Sequence, residues 1–142
     1  MSMIPFGMHC EEVALREFRA MIVQENARQI PAGQYLFVEC YCDDPECDCR
    51  RVFIQVYLQP DAKRIVLSLN YGWESPTYYQ NYMVWSAKLA RQIAAGCLDP
   101  LSPRPAYAAD FLRLFRKHAL DEAYKARLKR HYALFKASLR RK

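Results

Sequence analysis

Four cysteines stand within ten positions, Cys40, Cys42, Cys47 and Cys49, in the segment ECYCDDPECDCRRV at residues 39–52. The runs on either side, QYLFVECYC and RRVFIQVYL, are rich in aromatic and β-branched residues, as strands are. A hairpin closed by DDPE would place Cys42 opposite Cys47 and Cys40 opposite Cys49. Residues two apart on a strand share a face, so all four thiols would emerge on one side of its tip. Opposed Cβ atoms about 4.5–5.5 Å apart let two thiolates reach one ion at a Zn–S distance of about 2.3 Å. The pattern therefore points to a tetrahedral thiolate site, with zinc as the cofactor.

Four ligands in a flat rectangle make a poor tetrahedron. Either the hairpin twists sharply or one ligand comes from elsewhere, and His9, beside Cys10, is the outside candidate. Cys42, Cys47 and Cys49 serve in both schemes, while Cys40 and His9 compete for the fourth place. If all four cysteines bind, no position stays open for water and the site is structural. Three rival uses of the thiols are weaker. Iron–sulfur clusters gather ligands from looser, longer loops; cross-strand disulfides or a redox role would use C-x-C pairs, which lack the C-x-x-C geometry at a helix start that lowers a thiol's pKa; the plain alternative is four free thiols without a partner. Asp43, Asp44, Glu46 and Asp48 repel one another unless a cation holds the tip together, and Arg50 and Arg51 offset its negative charge.

At 142 residues the chain is read as one domain, residues 1–142, long enough to bury a core without staples. Hydrophobic residues make up 52% and charged residues 25%, a globular balance. Its apolar runs are too short to span a bilayer, so no membrane association is expected. The start MSMIPFGMHCEE lacks a basic leader and a long apolar core, which leads to a cytoplasmic expectation. In a reducing compartment, clustered cysteines are more often metal ligands or catalytic thiols than disulfides.

The texture changes along the chain. Residues 15–24, LREFRAMIVQ, lean to strand, which would put Phe18, Ala20 and Ile22 on one face. With the two cysteine-flanking runs, the turn PDAK (60–63) and RIVLSLNY, they predict an antiparallel meander of three or four strands. Helical spacing then takes over at 78–95, through Tyr82, Trp85, Leu89 and Ile93, with Gly96 as a stop. LDPLSPRPAY reads as an extended connector. Further helices are expected at about 106–118 and 121–140, the second with Tyr124, Leu128, His131, Tyr132, Phe135 and Leu139 on its apolar stripe. Strands first and about three helices after, packed on one face of the sheet, is an α+β class.

YCDDPECDCRRV, together with LDPLSPRPAYA (98–108) and RLKRHYALFK (127–136), resembles a group of uncharacterised bacterial proteins. The cysteine stretch is the specific part of that likeness. In that group Cys42, Cys47 and Cys49 recur while the Cys40 position often differs, which implies an outside fourth ligand such as His9. The resemblance implies a zinc-containing domain and brings no activity with it.

The net charge of +6 resides in residues 121–142, where eight Lys or Arg face two acids. On helical spacing Lys125, Lys129, Lys136 and Arg140, with Arg130, would form a basic face able to meet nucleic-acid phosphates. The plainer alternative is a solvated helix covering the sheet. His118 and His131 read as interior or boundary residues. Trp73, Tyr78, Tyr79, Tyr82 and Trp85 read as core or interface, with a ring- or peptide-binding pocket as the alternative. No G-x-S-x-G, Walker, dinucleotide or H-E-x-x-H motif is present. The expected function is a non-enzymatic binding or adaptor module, acting on protein or nucleic acid or pairing with a second copy. The alternatives are a zinc enzyme with an exchangeable ligand and a thiol redox sensor.

Overall fold

The computed structural model describes residues 2–24, 29–60 and 63–141. The strands are β1 (Met3–Pro5), β2 (Arg19–Val23), β3 (Gly33–Cys42), β4 (Arg51–Leu58), β5 (Ile65–Gly72) and β6 (Cys97–Leu98). The helices are α1 (Glu11–Arg16), α2 (Pro76–Tyr82), α3 (Ala87–Ala95), α4 (Ala108–Leu114) and α5 (Glu122–Arg140). A 3-10 turn at Phe6–Met8 precedes α1, and a π-type turn at Phe115–Ala119 continues α4. The class is α+β, and the six described strands form one open antiparallel sheet in the order β1-β3-β4-β5-β6. β2 pairs with Gly33–Phe37 and β1 with Cys40–Cys42, so both share one edge of β3.

There are more elements than the sequence suggests. β1 and β6 are three and two residues long, too short to display any period. Residues 15–24 divide between the end of α1 and β2. In β2 the buried face is Met21 and Val23, while Phe18 and Ile22 stand 57% and 73% exposed. The single helix expected at 78–95 is broken. Val84 adopts a φ of 56°, a left-handed conformation costly for a β-branched residue, and Ser86 then caps α3 by accepting from the Leu89 N–H at 3.1 Å. Gly96 ends α3 at φ 87°, as its position predicts. The turn expected at PDAK includes Asp61 and Ala62, which lie outside the described residues.

The core follows from strand alternation. Tyr35, Phe37 and Tyr41 of β3, Val52, Ile54 and Val56 of β4, and Leu67, Leu69 and Tyr71 of β5 share one face, and all are buried. Phe111 and Phe115, then Tyr124, Leu128 and Phe135 of α5, cover that face. Each such side chain contributes about 1.5–3 kcal/mol by leaving water. The α2–α3 pair packs on the other side, with its own small core of Tyr79, Ala90 and Ile93. Contact with the sheet there depends on Gly72, where a Cβ would overlap the Tyr79 hydroxyl and come within 2.9 Å of Ile93. The helices therefore flank both sides of the sheet, not one face. A packing surface made by a missing side chain leaves no apolar signal in the sequence.

Candidate metal centre

The strands that flank the cysteines do pair, but in a different register. Cys40 faces Phe53 and Glu39 faces Ile54, so β3 and β4 are joined by the eight residues 43–50 and not by the four of DDPE. The expected opposition of Cys42 to Cys47 and Cys40 to Cys49 is not what forms. Cys42 ends β3, while Cys47 and Cys49 ride on the loop. A loop can curl its side chains toward one point, which removes the flat-rectangle problem of a regular hairpin.

That curl is tied down at almost every polar group. The Asp44 carboxylate accepts from Glu46 N–H at 2.9 Å, and the Asp44 carbonyl accepts from Cys47 N–H at 3.1 Å. Asp43 and Ser2 exchange two bonds of 2.9 Å. Asp48 is held by three tyrosines. Tyr78 donates to its carbonyl, Tyr132 donates to its Oδ1 at 2.8 Å, and Tyr82 accepts from its N–H at 2.8 Å. Arg50, at a positive φ of 48°, turns the chain into β4. Its guanidinium bridges Asp48 and Glu74 at 2.8 Å each, and its carbonyl accepts from Tyr79 at 2.6 Å. Helices α2 and α5 thus grip the loop from two sides. The expected aromatic cluster does this in part, with Tyr78, Tyr79 and Tyr82 acting as clamps.

The grip brings three sulfurs together. The Sγ atoms of Cys42, Cys47 and Cys49 all lie within 4.8 Å of one another, with Cys42 and Cys49 buried and Cys47 half-buried. Burial, reinforced by neighbouring Cys47, pushes the Cys49 thiol up to about 12. Cys42 is also raised by burial, with the Asp44 backbone and Lys136 pulling the other way. Thiols held neutral like this are released from their protons when a cation binds them.

Lys136 tests whether the residues fit a cation–thiolate centre. It is 4% exposed, and its ammonium donates to the carbonyls of Cys42 at 2.9 Å and Asp44 at 2.7 Å. No carboxylate among the described residues pairs with it. A buried charge is costly unless compensated; the Asp48 carboxylate, on which the Lys136 charge acts, and the Tyr132 ring, 5.5 Å from the ammonium, compensate it in part. Three thiolates around a divalent ion would carry net negative charge and add to what Asp48 offers Lys136.

Other expected ligands stand apart from the sulfur group. The Cys40 thiol lies 3.8 Å from Gln55 Oε1 and 3.9 Å from the Val38 carbonyl, and burial pushes it up to about 12. His9 meets the Phe135 ring edge-on at 5.2 Å. The basic face of α5 is thinner than expected. Lys129 and Arg140 are exposed, Lys125 pairs with Glu122 at 3.4 Å, and Arg130 pairs with Glu17 at 2.8 Å. Lys136 leaves that face altogether. Its spacing of four from Tyr132 and eight from Leu128 puts it on the apolar stripe, a signal present in the sequence but masked by its charge. Tyr132 and Lys136 border the cluster although sequence reading assigns them to the apolar stripe and the basic face, while Arg51 is expected there as a charge that offsets the thiolates.

A second polar group lies elsewhere. His131 is fully buried, its Nε2 and Nδ1 each 2.8 Å from a carboxylate oxygen, of Glu17 and Glu39 respectively. Phe6 stacks on its ring at 4.3 Å, and Tyr41 donates to Glu39 at 2.7 Å. The three side chains line one wall of an open apolar cavity of about 660 Å³ that also touches Phe18, Leu36 and Val38. His131 is thus an interior residue that binds α5 to α1 and β3.

Compared with protein-family models, curated proteins and solved structures, the chain matches none of them significantly. No helix among the described residues is long and apolar enough to cross a membrane.

Proposed function

We propose that this chain is a metal-stabilised binding module in which Cys42, Cys47 and Cys49 hold one soft divalent cation, zinc. The observation that carries this reading is the approach of three sulfurs from one strand end and one loop to within 4.8 Å of one another. Thiolate softness selects zinc over magnesium or calcium, which take oxygen donors. The buried ammonium of Lys136 supports the same assignment by charge. The ion joins β3 to a loop already gripped by α2 and α5, so its role is structural. The binding half of the reading is supported by the apolar cavity beside α1 and by the exposed Met8, Leu15, Phe18 and Ile22, a cluster suited to a protein partner. The thinned basic face of α5 makes nucleic acid the weaker choice of partner.

The test is metal analysis of protein purified without chelator, beside the Cys47→Ser variant. One zinc per chain in the parent is expected, with loss of metal and a lower melting temperature in the variant. A parent that carries no zinc and takes none up, or a variant with full zinc and an unchanged melting temperature, rejects the assignment.

A further inference from the structure

The outer edge of β3 is covered by two short strands that do not meet. β1 pairs from Cys40 onward and β2 as far as Phe37, so Val38 and Glu39 face no edge strand among the described residues. The cavity of about 660 Å³ lies against this gap, and Phe6, Ala14, Leu15, Phe18, Leu36 and Val38 give it an apolar lining. Its titratable side chains are Glu17, Glu39 and His131. An apolar space of that size with a few convergent polar groups is what a small-molecule site requires.

Each carboxylate there bonds through one oxygen only. Glu17 Oε1 meets His131 Nε2 and the Arg130 guanidinium, both at 2.8 Å. Glu39 Oε1 meets His131 Nδ1 at 2.8 Å and accepts from the Tyr41 hydroxyl at 2.7 Å. The Oε2 atoms of both make no hydrogen bond among the described residues. Glu39 acts on the buried Tyr124 hydroxyl without bonding to it. Glu39 is only 6% exposed and lines the cavity, so that space is where its second oxygen can meet a donor. A buried acceptor without a donor is costly. Arg130 and His131 lie against the two carboxylates, and Arg127 reaches the Glu17 carbonyl at 3.4 Å. What the wall offers a ligand is therefore two open acceptors rather than a surplus of charge.

We infer that this cavity binds a small apolar molecule ending in a primary amine, whose N–H groups donate to the Oε2 atoms of Glu17 and Glu39. An ammonium brings three donors to two acceptors, where a hydroxyl brings one. Its hydrogen bonds to carboxylates are charge-assisted and about twice as strong as neutral ones. A carboxylic acid meets two carboxylates instead, and both nitrogens of His131 are already engaged. Gln34 and Gln59 also line the cavity, but their amides donate and accept alike, and Gln34 lies five residues along β3 from Glu39. The apolar body then rests on Phe6, Leu36 and Val38. This assignment goes beyond the protein-facing surface and the metal centre and stands without either.

The experiment titrates the full chain with octylamine, octyltrimethylammonium and octanoate, three probes with one tail and different heads, by calorimetry and methyl-resolved NMR. Octylamine is expected to bind about tenfold more tightly than the other two, because the trimethyl head has charge without donors and octanoate has neither. The methyl signals of Leu36 and Val38 should move while those of Leu67 and Leu69, in the main core, stay in place. Glu39→Gln is expected to weaken octylamine by about tenfold and leave octyltrimethylammonium unchanged. Should that variant fail to fold, Glu17→Gln makes the same comparison at the more exposed carboxylate. Equal affinity for octylamine and octyltrimethylammonium, or for octylamine and octanoate, overturns the inference. So does octylamine binding that moves no cavity methyl, or that survives the loss of either carboxylate unweakened. A chain that ignores octylamine altogether also overturns it, and the zinc content of that chain separately decides the metal assignment.

Discussion

At the scale of single residues, the cysteines divide into two kinds by what surrounds their sulfur. Cys42 and Cys49 are as buried as Cys40, yet only they meet a third thiol, and a buried cation stands beside Cys42. Cys40 faces Gln55 on the sheet. Cys40→Ser is therefore expected to leave zinc content at the parental level with a stability change within about 1 kcal/mol, and Cys49→Ser to abolish it; atomic absorption on the two purified variants decides. Much of this site is legible from residue type alone, since three of the four clustered cysteines are the ones that converge. What the sequence conceals is the register. DDPE has the composition of a tight turn, but Asp44 spends its carboxylate on Glu46 N–H within a wider loop, and the ladder starts only at Arg51. Lys136 is concealed for another reason, because a charged side chain on an apolar stripe is ordinarily discounted.

Among the elements, the long ones are legible, as are β2 within 15–24 and α4 within 106–118, while the short β1, α1 and β6 are not. β3, β4, β5 and α5 each carry eight or more residues of consistent pattern. The break between α2 and α3 has no proline or glycine to announce it, only Val84 in a left-handed turn and a serine cap. Two predictions belong here. Gly72→Ala would drive a methyl into Tyr79 and Ile93, costing about 1–3 kcal/mol in a denaturant melt. Because Tyr79 also holds the Arg50 carbonyl, the same variant should bind zinc more weakly. The link between α1 and α5 should respond to acid. Hydrogen bonds from Arg130 and then His131 hold the Glu17 carboxyl at about 2, against an ordinary 4.5. A depressed carboxylate contributes its stability above 4.5 and loses it as pH falls from 4.5 toward 2. His131, Glu39, Arg130 and the Arg127 guanidinium, 3.4 Å from the Glu17 carbonyl, complete the charged surroundings. The urea midpoint of the parent should drop more steeply over that window than that of Glu17→Gln; parallel curves would remove the link from the acid response.

On the scale of the whole molecule, two cores meet across one sheet, and the cysteine loop sits where α2 and α5 both reach it. Removing the ion should loosen the loop's hold on both helices without dissolving the main core, which relies on Tyr35, Ile54, Leu69, Phe115 and Phe135. A chelator titration followed by calorimetry is expected to lower the melting temperature by several degrees, a change of about 1–2 kcal/mol, and far-ultraviolet dichroism to stay near its starting value. Full loss of helical signal on chelation would mean that the ion organises the entire domain. The burial of Lys136 also gives each molecule a natural reporter. An amine shut between two carbonyls is closed to acylating reagents, so mass-spectrometric footprinting at this one lysine would register, population by population, how often the thiol-bearing segment lifts away.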